Sequence, residues 1–366
     1  MILLSIAGIG MFILKLLLLF FVLGIIILVH EFGHFMWAKK FGVYIYEFSI
    51  GMGPVLFTHK GKKDKIAYNI RAIPIGGFVS MAGEVYDDAD KKITKDKLLC
   101  NKPWYQRVII LAAGVMNNFI LAIVLLFVYA LIWGGGALKP VVGSVLEDSA
   151  AYEAGLVAGD TITAINDHKV NYWDKAQIVL YYKTNSDTYK FNVTHSDGTK
   201  EVINITPKKV VDEKTGEERK QFGIGVKEAD TSNILKVIKY SFAKFGAIMD
   251  SMAVTIGALI TGNLSLSALS GPVGIYEVVG NSFTYTFGYA MQYIIYIIAL
   301  LSINVGFINI LPFPAFDGGH IFFLIIEKIK RSPVNAKFES ICHTIGFILI
   351  FLLMIIVTIN DIIKLS

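Results

Sequence analysis

The apolar run over residues 11–36 constrains this chain more than any other feature, because it closes on His30-Glu31-Phe32-Gly33-His34. A run of that length crosses a bilayer as a helix, which takes about 20 apolar residues. Ionisable groups at bilayer depth are costly and rare. A cluster of them at the end of a spanning helix therefore requires a shared partner.

Further runs over about 106–133, 288–311 and 341–363 are also long enough to span. Hydrophobic residue types make up 54% of the chain, above the roughly 45–50% of soluble domains. The expected fold is a polytopic α-helical membrane protein with about four spanning helices. The net charge of +5 is modest, and the lysines gather beside apolar spans instead of forming a basic stripe, so no nucleic-acid partner is expected. Cys100 and Cys342 form no disulfide framework or cysteine metal motif. The N-terminus lacks a basic leader and a small-residue cleavage site, which predicts a retained first span.

Lys39, Lys40 and the lysine-rich stretches 59–65 and 91–97 follow the first span, and residues 327–333 carry a second basic loop. Basic short loops face the cytoplasm. Both termini and the long stretch 135–285 then lie outside. From about 137 to 228 the sequence alternates apolar and polar residues between Asp-Gly and Gly-Asp turns, as a small β-rich domain does. Residues 233–262 read as an amphipathic helix lying in the interface, with a further span as the alternative. The expected parts are 1–133, a membrane part with a cytoplasmic β-hairpin loop; 134–228, the inserted domain; 229–285, an amphipathic juxtamembrane region; and 286–366, a second membrane part.

On a helix, positions i and i+4 share a face. H-E-x-x-H can therefore offer His30 and His34 to one Zn²⁺, with Glu31 beside the metal as general base. The alternative is a polar group snorkelling from the helix end. Catalytic zinc takes three protein ligands and keeps one position open. Asp317 is the acidic residue that closes another span in an unusual sequence, Asn309-Ile310-Leu311-Pro312-Phe313-Pro314-Ala315-Phe316-Asp317. Proline interrupts helical hydrogen bonding, and a broken backbone at membrane depth persists only when buried in protein or lining a wet cavity. Both motifs fall at the cytoplasmic ends of their spans. His320 is an alternative ligand.

At these residues the chain resembles the site-2 protease family of intramembrane zinc metalloproteases. H-E-x-x-H matches, and so does the family's N-x-x-P-x-P-x-L-D-G at Asn309, Pro312, Pro314, Asp317 and Gly318, with Phe316 in place of leucine. Residues 68–84 resemble its glycine-rich hairpin, 49–54 its G-x-G segment, and 270–275 a further familiar stretch. Residues 155–166 resemble a PDZ signature. In the second span Ala113-Gly114-Val115-Met116-Asn117-Asn118-Phe119 departs from the family pattern at Val115, where proline is usual.

The resemblance implies a bacterial plasma-membrane enzyme with a membrane-associated β-hairpin and one extracytoplasmic PDZ-like α+β domain. It implies His30, His34 and Asp317 on zinc, with Glu31 catalytic. Its substrates would be single-span membrane proteins already shortened by another protease, such as anti-sigma factors or signal-peptide remnants. Asn309, Gly51, Gly53, Gly76 and Gly77 are candidate substrate-binding residues, the hairpin adding a substrate strand to its edge. Peptide ends are the candidate ligands of the PDZ-like domain. The competing readings are an inactive zinc-binding receptor that senses peptides, a membrane zinc protease of another class with a distant glutamate ligand, and a transporter.

Overall fold

The computed structural model describes residues 6–61, 66–84, 90, 92–182, 187–211 and 218–365. Lys62, Lys63, Lys65 and Lys91, four of the basic residues behind the expected topology, lie outside them. The chain opens with helix α1 (Ile6–Lys40), strands β1 (Ile45–Lys60) and β2 (Ala67–Met81), and helix α2 (Trp104–Trp133). There follow β3 (Ala137–Val145), α3 (Ala150–Glu153), β4 (Thr161–Ile165), β5 (His168–Lys169), α4 (Trp173–Leu180), β6 (Tyr189–Thr194), β7 (Lys200–Ile205), β8 (Lys208–Val211), β9 (Glu218–Gln221) and β10 (Ile224–Glu228). The last part is helical: α5 (Ile234–Ile260), α6 (Pro272–Gly280), α7 (Phe287–Ile310), α8 (Asp317–Lys330) and α9 (Ala336–Leu365).

The chain divides into two compact units, Met1–Leu125 with Leu269–Ser366, and Leu126–Ala268. The second boundary falls inside the stretch 229–285, which the sequence reading treats as one region. α5 belongs to the second unit and α6 to the first.

Among the described residues five helices are long and apolar enough to cross a membrane: α1, α2, α5, α7 and α9. The sequence predicts about four, with residues 233–262 in the interface. By length and composition α5 qualifies as a further span. Its first half nevertheless packs on the second unit. Val237 and Tyr240 are buried there, and Lys244 Nζ reaches Asp174 of α4 at 2.7 Å.

In the first unit β1 and β2 build a bent ribbon. Residues 47–50 are matched twice, with 67–70 on one side and 77–80 on the other, while residues 57–60 pair with 67–70 from beyond. Four lengths of chain thus lie side by side, leaving 77–81 at one edge. The folding back needs positive φ at Gly51 (+86°) and Gly76 (+79°), open to glycine without penalty. A Cβ at Gly51 would also stand 2.5 Å from the Ile73 carbonyl oxygen. The base of the ribbon packs on α1 and α2 through Phe35, Phe48, Val79 and Ile110. Its bent end leaves Met52, Val55, Leu56 and Phe57 exposed, Leu56 by 70%.

A partly exposed ion pair and a buried carboxylate tie the helices of this unit. Lys15, the lone charge in the first half of α1, faces Glu277 of α6 at 3.8 Å. Asp361 of α9 accepts the Gly271 and Gly274 amides, each at 2.8 Å, and so caps the amino end of α6. That explains why residues 270–275 stand out in the sequence.

The second unit is a sheet in the order β10-β3-β4-β6-β7, with β5 on β4 and a separate β8-β9 ribbon. Tyr189, Phe191, Ile162 and Ile165 lie at its core; Tyr189 and Phe191 are inward-facing alternate residues of β6, and a register shift in β4 lets both isoleucines face inward.

Candidate metal centre

α1 brings His30 and His34 to one point, and α8 brings Asp317 to the same point. Nε2 of His30 lies 3.2 Å from Nε2 of His34. Asp317 Oδ2 lies 3.1 Å from the first and 3.4 Å from the second. Four-coordinate zinc with bonds of about 2.0–2.1 Å holds its ligand atoms about 3.3 Å apart, so the three spacings are those of a tetrahedral face. Asp317 Oδ2 is buried without a hydrogen-bond partner among the described residues. A buried oxygen with no donor and two imidazole nitrogens turned upon it is a donor set that fits a cation.

The imidazoles are aimed from behind by α2. His34 Nδ1–H donates to the Ile110 carbonyl at 2.8 Å, leaving Nε2 unprotonated. His30 Nδ1 lies 3.3 Å from the Asn118 amide nitrogen, and Asn118 Oδ1 is buried without a partner among the described residues. In its other, isosteric orientation the amide accepts the His30 Nδ1 proton through Oδ1. Both histidines then present an unprotonated Nε2 to the point they share with Asp317 Oδ2.

Close approach of α1 and α2 depends on two glycines. A Cβ at Gly33 would stand 2.3 Å from the Ala113 carbonyl oxygen. One at Gly114 would stand 2.4 Å from His34 Nε2 and 2.7 Å from His30 Nε2, inside the centre itself. Asn117 adds a strap by donating to the Val29 carbonyl at 3.2 Å. Helix α2 runs unbroken through Val115, which is buried. None of Gly114, Asn118 and Ile110 stands out as a site residue in the sequence. Glycine and a backbone carbonyl carry no chemical signature, and the A-G-x-x-x-N-F pattern is the signal that points to the other two.

Asp317 owes its place to the proline turn. α7 ends at Ile310, Pro312 and Pro314 prevent it from continuing, and α8 starts afresh at Asp317. The turn doubles back over the first residues of α8. A Cβ at Gly318 would stand 2.3 Å from the Leu311 carbonyl oxygen and one at Gly319 2.5 Å from that of Phe313. Asp317 also sits in the first turn of α8, where a carboxylate complements the helix dipole.

Glu31 lies beside the histidines and accepts the Val79 amide at 3.2 Å, from the outer edge of the β1–β2 ribbon. Gly77 is on the same strand, 3.9 Å from Glu31 Cγ by the measure of an added Cβ. Gly51, Gly53 and Gly76 are at the bends of the ribbon, all with positive φ. Asn309 Nδ2 donates to the Val305 carbonyl one turn back in α7, at 3.0 Å. His320, the alternative ligand, is not one of the converging trio. It stands with Glu339 and His343.

A sequence model described as peptidase family M50 matches residues 18–353. The chain is similar to the regulator of sigma-W protease RasP of Bacillus subtilis, 31% identical over 93% of this chain and 96% of the relative. It is equally similar to the zinc metalloprotease RasP of Shouchella clausii, 31% identical over 94% and 97%. A Clostridium acetobutylicum protein whose name carries the words zinc metalloprotease is 34% identical over 93% and 95%.

Proposed function

The chain belongs to peptidase family M50, the site-2 proteases, and is a multi-pass zinc metalloprotease; from that premise we propose that it cuts peptide bonds in or near the spanning segments of single-span membrane proteins. The observation that carries this reading is the convergence of His30, His34 and Asp317 at tetrahedral spacing beside Glu31, with the histidines and Glu31 on a helix apolar enough to span and Asp317 just past the end of another. The family match and the protease names of the relatives favour an enzyme over the receptor and transporter readings.

His30, His34 and Asp317 would hold the zinc. When bound, the metal would supply Lewis acidity to the scissile carbonyl and make the attacking water more acidic. Glu31 takes the proton from the attacking water and delivers it to the leaving amine. The Val79 amide keeps the Glu31 carboxylate turned toward the centre. A substrate helix has its carbonyls tied up and must unwind. The outer edge at 77–81 offers it a strand to pair with, next to Glu31. Gly77 keeps that edge low, Gly51, Gly53 and Gly76 shape the ribbon behind it, and Asn309 reaches the substrate backbone once its bond to Val305 yields. The exposed apolar bend at 52–57 gives the ribbon a lipid-facing end.

The enzyme sits in a bacterial plasma membrane with its metal centre near the cytoplasmic face. The 137–228 domain is PDZ-like and extracytoplasmic. It receives peptide ends and turns away bulky ectodomains, so that substrates are those another protease has shortened. The name of the Bacillus subtilis relative, a regulator of sigma-W, supports an anti-sigma factor as substrate.

Detergent-purified protein and its Glu31→Gln variant test the reading with a labelled single-span substrate lacking a large ectodomain. Zinc in both and cleavage by the wild type alone is the expected result. Zinc absent from both rejects the metal centre, and equal cleavage by both rejects Glu31 as the base.

A further inference from the structure

A second group of side chains grips the proline turn from α9, and the proposed function leaves it unused. His343 Nδ1 accepts the backbone amide of Ala315 at 3.0 Å. Ala315 has φ +92°, a conformation that residues other than glycine rarely adopt and that persists only where the surroundings enforce it. Three residues along α9, Gly346 lies against the same turn: a Cβ there would stand 2.2 Å from the Pro314 carbonyl oxygen. The His343 ring stacks on His320 of α8, centroids 3.8 Å apart and planes 16° from parallel. Glu339 Oε1 lies 3.2 Å from His320 Nδ1 and 3.8 Å from His343 Nε2.

His320, Glu339 and His343 bring their ligand atoms within 4.8 Å of one another, which raises a second metal site. The tautomer argues against it. A neutral imidazole has one donor nitrogen and one acceptor. Nδ1 of His343 accepts the Ala315 amide, so its proton sits on Nε2, the nitrogen facing Glu339. That nitrogen has no lone pair to offer a metal. The cluster is a brace: the His343 ring lies stacked on His320, and Glu339 in turn bonds His320 Nδ1.

We propose that His343 is a positioning residue of the metal centre: by holding the Ala315 amide it fixes the turn at residues 311–316 in the form that delivers Asp317 to His30 and His34. The inference rests on the reading of Asp317 as a zinc ligand. Asp317 follows Ala315 by two residues, so a relaxation of φ at Ala315 turns the start of α8 and carries the carboxylate off the ligand triangle. His343 is not one of the three side chains that converge at the metal centre.

The test is zinc affinity of the full-length detergent-purified protein, by competition with a chromophoric chelator, with cleavage and thermal midpoint measured alongside. The variants are His343→Ala, His343→Asn, His343→Gln and Asp317→Ala. Outer-shell partners of metal ligands are worth about 10–100-fold in affinity or activity, and His343→Ala should weaken zinc binding about tenfold. Asn places Oδ1 near the position of Nδ1 but cannot stack, and Gln places its oxygen near Nε2. His343→Asn should therefore restore most of the affinity and His343→Gln should not. Should His343→Ala fail to fold, the Asn–Gln difference decides alone. Equal zinc affinity in His343→Asn and His343→Gln overturns the proposal, whether both match the wild type or both lose metal. Wild-type affinity in Asp317→Ala instead overturns the reading of the metal centre on which it rests.

Discussion

At the scale of single residues, the proposed assignment separates holding the metal from using it. Glu31 is not among the three converging ligands, so Glu31→Gln should keep zinc while cleavage falls by about 10²–10⁴, the usual worth of a general base. Metal content by atomic absorption beside a cleavage assay measures both. Gly114→Ala should do the reverse. Its methyl would stand 2.4 Å from His34 Nε2, so zinc is lost, while far-UV circular dichroism shows helix content kept. The contrast marks what the sequence discloses. His30, Glu31, His34 and Asp317 are legible because titratable groups at bilayer depth need a reason and because spacing and proline breaks are local patterns. Gly114 and Ile110 act by absence and by backbone, and neither leaves a mark in composition. Asn118 is polar in a spanning helix, but its partner His30 lies far away in sequence, beyond the reach of a periodic pattern.

At the scale of elements, the bent ribbon and the inserted sheet respond to different perturbations. Gly51→Val would push a side chain onto the Ile73 carbonyl and force a β-branched residue into φ +86°. It should lower cleavage without loss of zinc, because the ribbon carries the edge at 77–81 and none of the converging ligands. In the second unit His195 donates to Asp160 Oδ1 at 2.8 Å and faces Glu201 at 3.1 Å. Hydrogen bonds to Asp160 first, and to Glu201 second, raise its pKa above the ordinary histidine value. A raised folded pKa means that this contribution to stability is complete below the unfolded value of about 6.5 and is lost as pH climbs through the folded one. His195→Ala should then lower the thermal midpoint at pH 6 and leave it nearly unchanged well above the folded pKa, as differential scanning fluorimetry can read. Element type was readable for the long runs, where period and length agree. The double matching of residues 47–50 was not, since alternation tells which face a residue takes and not how many neighbours its strand has. The helix α5 was readable as a helix, but its lysines suit an interface in sequence and an ion pair with Asp174 in space.

At the scale of the molecule, the two compact units should melt separately. Zinc binds the folded form of one of them and stabilises it by about 4 kcal/mol when present at a thousandfold its dissociation constant. Chelation should lower one transition in calorimetry and leave the other in place; a common shift of both would mean that the units fold as one. The metal centre also spans almost the whole order of synthesis. His30 and His34 leave the ribosome early, Asp317 comes late, and the residues of α9 that grip its turn come later still. On the proposed assignment, an incomplete chain would hold two ligands and a base but not the third. Cleavage should therefore begin only once Asp317 and the turn that carries it have been made.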